Sequence, residues 1–248
     1  MESASQYLSV ALGTILSGWN QLSRRVLLLG RPQSEARFVS LSERCWSSDL
    51  LWSLPFYKGV QISKRGGQHN HPIKWKGVTN MKDPFSLAAY PLLLSELRPA
   101  TIIELGAMYG GSACWLADMM EIQNIDGRVY SFEIQMDRIE GRHPKVEFHY
   151  VDVYKLEGFD ANWLESLPHP WLVIEDAHFN VYNVLQFFAK MMHQGDYLVV
   201  EDTLHYKKYL EVKRFIEDQN DAFLADTHYT DLFGYNVTWH PNSFFRRM

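Results

Sequence analysis

The chain has 248 residues, enough for one large domain with an extension or for two small ones. With 46% hydrophobic and 14% aromatic residues it can bury a substantial core, which excludes a disordered type. A formal net charge of −5 argues against a nucleic-acid partner, and two distant cysteines, Cys45 and Cys114, exclude a disulfide framework; a reducing cytoplasm is the simple reading.

From the N-terminus, residues 5–29 read as an amphipathic helix packed on the body or on a second subunit. Asn20, Gln21, Arg24 and Arg25 interrupt its apolar run, which falls short of the ~20 apolar residues of a membrane span. No basic segment precedes it, so it is a poor signal peptide. Arg31-Pro32 breaks the pattern, and a second helix-like stretch follows near 40–55. Residues 66–72 form a polar, glycine-rich loop suited to a flap; His69 and His71 in it are read as loop polarity, not as metal ligands.

A helix is expected over 84–96, with Leu87, Tyr90, Leu93, Leu94 and Leu97 at helical spacing. Then strands and helices alternate: strand 100–105, helix 111–122, strand 128–133, strand 146–151, strand 171–174, helix 180–193, strand 197–200 and helix 206–219. Residues 222–228 and 234–240 are expected to form a final antiparallel pair. Alternation of this kind implies a mainly parallel sheet with helices on both faces. We divide the chain into a helical N-terminal extension with its flap loop, 1–80, and a Rossmann-like domain, 81–248.

The central stretch is ATIIELGAMYGGS, residues 100–112. It reads as a strand, a glycine turn and a helix start, the opening of a nucleotide-binding unit. Its spacing is acidic-x-Gly-x-x-x-Gly-Gly, with Met108 where a dinucleotide fingerprint has glycine. That pattern suits S-adenosylmethionine (SAM) better than a dinucleotide. Candidate cofactor contacts are Glu104, Gly106, Ala107, Tyr109, Gly110 and Ser112. Glu133 ends the next strand, where a carboxylate can accept both ribose hydroxyls. Asp152 follows the third strand, beside the expected adenine position.

Strands four and five end in a second acidic group, Glu175-Asp176-Ala177-His178 and Glu201-Asp202. Carboxylates converging in one crevice repel unless a cation offsets them, and oxygen donors suit Mg²⁺. Such a metal would orient a hydroxyl and lower its pKa. His178 is the candidate general base, the alternative being a helix-capping or carboxylate-satisfying histidine.

Several motifs resemble the cephalosporin hydroxylase family. They are Lys82-Asp83-Pro84, the run from Leu97 to Gly106, Tyr109-Gly110-Gly111-Ser112, His169-Pro170, Glu175-Asp176-Ala177-His178 and the run from Gly195 to Asp202. The resemblance covers about 75–206. It implies a class I SAM-dependent methyltransferase fold, O-methylation of a natural product or sugar, divalent-metal use and a homo-oligomer. Carried across, the metal ligands fall on Glu175, Glu201 and Asp202. The family usually has aspartate where this chain has Glu175 followed by Asp176, so either of these is the strand-four ligand. The layout also resembles Mg²⁺-dependent catechol O-methyltransferases, whose catalytic lysine falls three residues beyond that acid, here on His178. Rival readings are an N-methyltransferase, a non-catalytic SAM-binding subunit serving a partner enzyme, and a nicotinamide oxidoreductase, the last weakened by the missing G-x-G-x-x-G.

Overall fold

A computed structural model describes residues 36–46 and 73–248. The helix expected at 5–29, most of the stretch at 40–55, and the loop with His69 and His71 lie outside the described residues. Among those described, an eight-stranded sheet dominates, in the order β1-β9-β10-β8-β7-β4-β5-β6. The strands are β1 (Phe38–Val39), β4 (Thr101–Leu105), β5 (Arg128–Glu133), β6 (Val146–Tyr150), β7 (Trp171–Glu175), β8 (Tyr197–Val200), β9 (Phe223–Asp226) and β10 (Phe244–Arg247). A separate hairpin joins β2 (Lys74–Trp75) to β3 (Val78–Thr79).

Strands β4 to β8 pair in parallel, and β1, β9 and β10 add an antiparallel flank. The final pair differs from expectation. β9 pairs with β10, whereas residues 234–240 form turns capped by side chains. Phe244 and Phe245 are fully buried, so tertiary packing, not a local alternation, makes that segment a strand.

The helices are α1 (Pro84–Leu97), α2 (Gly111–Ile122), α3 (Ala161–Glu165), α4 (Val181–Ala189), α5 (Tyr206–Asp218) and α6 (Thr227–Thr230). Side chains alternate between the sheet faces with period two. Ile103, Leu105, Trp171 and Val173 join the core beneath α4 and α5. Ile102, Leu172 and Ile174 join the core beneath α1 and α2. None of the described helices is long and apolar enough to cross a membrane.

Local chemistry sets the helix starts around the crevice. Asp83 caps α1 by accepting the N–H groups of Phe85 and Ser86, and Pro84 follows in the first turn. Gly110 precedes α2 in a left-handed conformation (φ 79°). A Cβ on Gly111 would stand 2.1 Å from the Thr79 carbonyl oxygen, so only glycine lets the β2–β3 hairpin lie on the start of α2.

Candidate active site

β4 has β5 on one side and β7 on the other, so the strand order reverses there and leaves a crevice at the carboxyl ends. A cavity of about 610 Å³ opens at this point. Gly106, Ala107, Tyr109, Ser112, Glu133, Asp152, Asp176, His178, Glu201 and Asp202 all line it, together with Lys82, His205, Trp239 and His240.

The β4 turn is shaped by backbone contacts. Gly106 adopts φ 99°, and a Cβ there would lie 2.7 Å from the Asp176 carbonyl oxygen. Its requirement for glycine therefore comes both from its own backbone conformation and from the neighbouring β7 turn. Glu104 is fully buried and takes hydrogen bonds from Ser112 Oγ (2.5 Å) and Ser131 Oγ (2.6 Å). That carboxylate ties β4 to β5 and to the start of α2 and does not reach the cavity wall. Burial raises its pKa, against the opposing pull of Lys82.

Glu133 stands at the cavity edge with its carboxylate held by two backbone donors, Met108 N (2.8 Å) and Gln135 N (2.9 Å). Each oxygen keeps a lone pair for a diol. Asp152 accepts Tyr154 N at 3.0 Å. Tyr154 and Phe179 are both exposed and meet at the cavity mouth with tilted rings, centroids 5.7 Å apart.

The acidic residues divide into two sets. Glu175 is fully buried and ion-pairs with Lys208 of α5 at 2.7 Å. Glu201 accepts Lys82 Nζ at 2.6 Å and Tyr90 Oη at 2.5 Å. Asp176 and Asp202 instead converge on His178. Nε2 of His178 lies 3.3 Å from Asp176 Oδ1 and 3.5 Å from Asp202 Oδ2. One ligand atom from each of the three lies within 4.8 Å of the others. His178 and Asp202 both have positive φ, 65° and 57°, as does Met108 in the β4 turn. Strain in non-glycine residues of this kind gathers where surrounding structure enforces a functional geometry.

Lys82 brings a buried cation to the crevice. Its Nζ also lies 2.9 Å from Asp176 Oδ2, and its side chain is 1% exposed. Burial alone would lower its pKa, but Asp176 and Glu201 outweigh burial and hold it well above the ordinary lysine value. Burial, followed by repulsion from Glu201, raises the pKa of Asp176.

Sequence reasoning did not identify Lys82, Lys208 or His240 as site residues. Lys82 precedes a capping aspartate and a proline, a signal that marks the helix start and not the lysine. Lys208 looks like any polar residue of an amphipathic helix.

A family model described as Rhamnosyl O-methyltransferase/CmcI matches residues 68–248. A rhamnosyl O-methyltransferase of Mycobacterium tuberculosis is 27% identical over 165 residues, covering 62% of this chain and 59% of that protein. Its Mycobacterium leprae counterpart is 25% identical over 136 residues, covering 52% and 59%. The match thus spans about three fifths of the length of these curated relatives. Among solved structures, a CmcI structure described as Mg-SAM is 27% identical, with a TM-score of 0.63, over 90% of this chain and 95% of that one. A CmcI structure described with SAH has a TM-score of 0.61 and 27% identity, over 71% and 83%.

Proposed function

Because the chain belongs to the Rhamnosyl O-methyltransferase/CmcI family, we propose that it is a SAM-dependent O-methyltransferase acting on a hydroxyl of a sugar or other small natural product. One observation carries this reading. The β4 glycine turn, Glu133 and the Asp176–His178–Asp202 cluster open into a single cavity of about 610 Å³. SAM is read along the β4 and β5 ends, with Glu133 on the ribose and Gly106 to Ser112 under the methionine part. The acceptor then enters beside His178, His205 and Trp239.

The donor set fits a divalent cation. Asp176 and Asp202 would hold Mg²⁺, with His178 beside them; bound there, the ion would lower the pKa of an acceptor hydroxyl. Glu175 is paired with Lys208, and Lys82 bridges Glu201 and Asp176, so ligation by either glutamate requires an ion pair to open, whereas Asp176 keeps Oδ1 for the ion.

His178 is the candidate general base, with one constraint. An ammonium only donates, so the Lys208 Nζ contact at 3.0 Å leaves the lone pair of His178 on Nδ1 and its proton on Nε2. Acting as a base therefore requires the ring to turn or Lys208 to withdraw. The nearness of Nε2 to two carboxylates, 3.3 Å and 3.5 Å away, favours a second reading, in which Asp176, its pKa raised by burial, takes the proton while His178 steadies it. Methyl transfer is an in-line displacement at carbon, so holding the two reactants in line supplies much of the acceleration. The assembly is read as a homo-oligomer and the setting as cytoplasmic.

The test is calorimetric titration with SAM, with Mg²⁺ and with chelator. It is followed by an assay for S-adenosylhomocysteine with hydroxylated acceptors and the purified protein alone. Binding of both ligands with acceptor-dependent product supports the enzyme. SAM binding without product under every acceptor points to the non-catalytic subunit, and no SAM binding ends the reading.

A further inference from the structure

His240 reaches the crevice from the segment between α6 and β10, and it is 1% exposed. Its ring is used at both nitrogens. Nδ1 accepts the backbone N–H of Asp202 at 2.8 Å, and Nε2 lies 2.9 Å from Ser86 Oγ. A backbone N–H only donates, so Nδ1 carries the lone pair and the neutral ring holds its proton on Nε2. That proton goes to Ser86 Oγ, whose own hydroxyl donates to Asp83 Oδ2 at 2.5 Å. The other Asp83 oxygen caps α1. Every proton in the chain from Asp202 through His240 and Ser86 to Asp83 is thereby assigned in one direction.

The two ends of this chain flank the acidic cluster. Asp202 sits at φ 57°, a left-handed conformation that residues with a side chain adopt only where the surroundings hold them there. Its peptide N–H direction is part of that conformation, and His240 is the group that receives it. Asp83 adjoins Lys82, whose ammonium bridges Asp176 and Glu201. Neighbouring bonds strap the same segments together, from Leu204 N to Trp239 O at 3.3 Å and from Thr203 Oγ1 to Pro241 O at 3.0 Å.

We propose that His240 is a positioning residue, whose Nδ1 fixes the left-handed turn at Asp202 and so aims the Asp202 carboxylate at the position shared with Asp176 and His178. The inference rests on the reading of that cluster as the acceptor and cation site. The role of His240 is exerted through Asp202, since both ring nitrogens are engaged, one by the Asp202 N–H and the other by Ser86 Oγ.

Three variants test it in the full chain: His240→Leu, His240→Asn and Ser86→Ala. The first removes both ring contacts, the second keeps an acceptor near the Nδ1 position, and the third removes only the distal link. The metal-free readouts are the ring tautomer, from ¹⁵N–¹H correlation, and the exchange rate of the Asp202 N–H. We expect the Nε2–H tautomer, and Asp202 exchange at least tenfold faster in His240→Leu and restored in His240→Asn. With MgCl₂ as the probe, His240→Leu weakens binding about 10- to 100-fold, as removal of outer-shell partners does. Ser86→Ala weakens it by a smaller factor, and SAM affinity stays within about twofold in all three. An Nδ1–H tautomer, or unchanged Asp202 exchange and Mg²⁺ affinity in His240→Leu, overturns the proposal. Should His240→Leu fail to fold, the same exchange and Mg²⁺ measurements on Ser86→Ala decide. Wild-type protein that shows the expected tautomer and exchange but binds neither Mg²⁺ nor SAM overturns the functional reading and leaves His240 as the anchor of Asp202.

Discussion

Glu175 and Glu201 leave neighbouring strands on opposite faces of the sheet. Glu175 shares the parity of Trp171 and Val173 and meets Lys208 beneath α5. Glu201 shares the parity of Tyr197 and Val199 and meets Lys82 and Tyr90 on the α1 side. Asp176 and Asp202 are the residues next along, where the strands end and the side chains turn into the crevice. Divalent-cation binding should therefore depend most on those two. Asp176→Asn and Asp202→Asn are each expected to abolish a measurable Mg²⁺ isotherm, whereas Glu175→Gln keeps it within a few-fold. Calorimetry on these three single variants checks this, and the reverse ranking would return ligation to the strand-end glutamates.

Lys208 and Glu175 are both buried, so removing one leaves an unpaired charge. Lys208→Met is expected to destabilise the fold by about 3–5 kcal/mol, as breaking a buried pair does. The double variant Lys208→Met with Glu175→Leu removes both charges and should recover most of that loss. Urea unfolding of the three proteins measures it. If the single and double variants unfold alike, the pair contributes only through its packing.

Much of this was legible in the sequence, and the exceptions have physical reasons. The apolar run 101–105 and the helix 111–122 match because glycines and strand length bound them sharply. β10 was missed because Phe244 and Phe245 show no alternation, and a doubly buried strand need not. The period-two rule places Glu175 and Glu201 on opposite faces, but only once the sheet order is known. The partner lysines are harder still. Lys208 lies 33 residues from Glu175 and Lys82 lies 119 from Glu201, separations that no local pattern encodes.

Glu133 anchors the cofactor reading. Its carboxylate is preset by Met108 N and Gln135 N, so it is ready to accept ribose hydroxyls without reorganising. Hydrogen bonds to a charged group contribute about 1.5–3 kcal/mol. Glu133→Ala should weaken SAM binding by roughly 10- to 100-fold while leaving the Mg²⁺ isotherm in place. Calorimetry with each ligand separates the two effects, and unchanged SAM affinity would move the ribose elsewhere in the cavity.

At Gly106 the positive φ and the 2.7 Å approach to the Asp176 carbonyl act together. Gly106→Ala must either shift the β7 turn or strain the β4 turn, and both carry cofactor or cluster residues. Loss of at least about 2 kcal/mol of stability is expected, from strain plus overpacking. A variant that folds normally and binds SAM at wild-type affinity would show that the two turns yield more easily than their contact distance suggests.

Asp83 supplies the pH prediction. Burial raises its pKa from 3.8 to about 6, against the lowering effect of its bonds from Ser86 and Phe85. The folded state then binds a proton between these values that the unfolded state has released. This group's contribution to stability therefore falls as pH rises from about 4 to about 6, by roughly 1.4 kcal/mol per pH unit or about 3 kcal/mol in all. Above pH 6 the cost of the buried carboxylate is fully present. Asp83→Asn keeps a capping oxygen but cannot ionise. Relative to wild type, it should gain roughly 3 kcal/mol between pH 4 and pH 7. Urea midpoints of both proteins at several pH values give the difference directly, free of groups the two share. A constant difference across the range would mean that Asp83 stays ionised in the fold, its charge carried by the Ser86 and Phe85 donors and not penalised by burial.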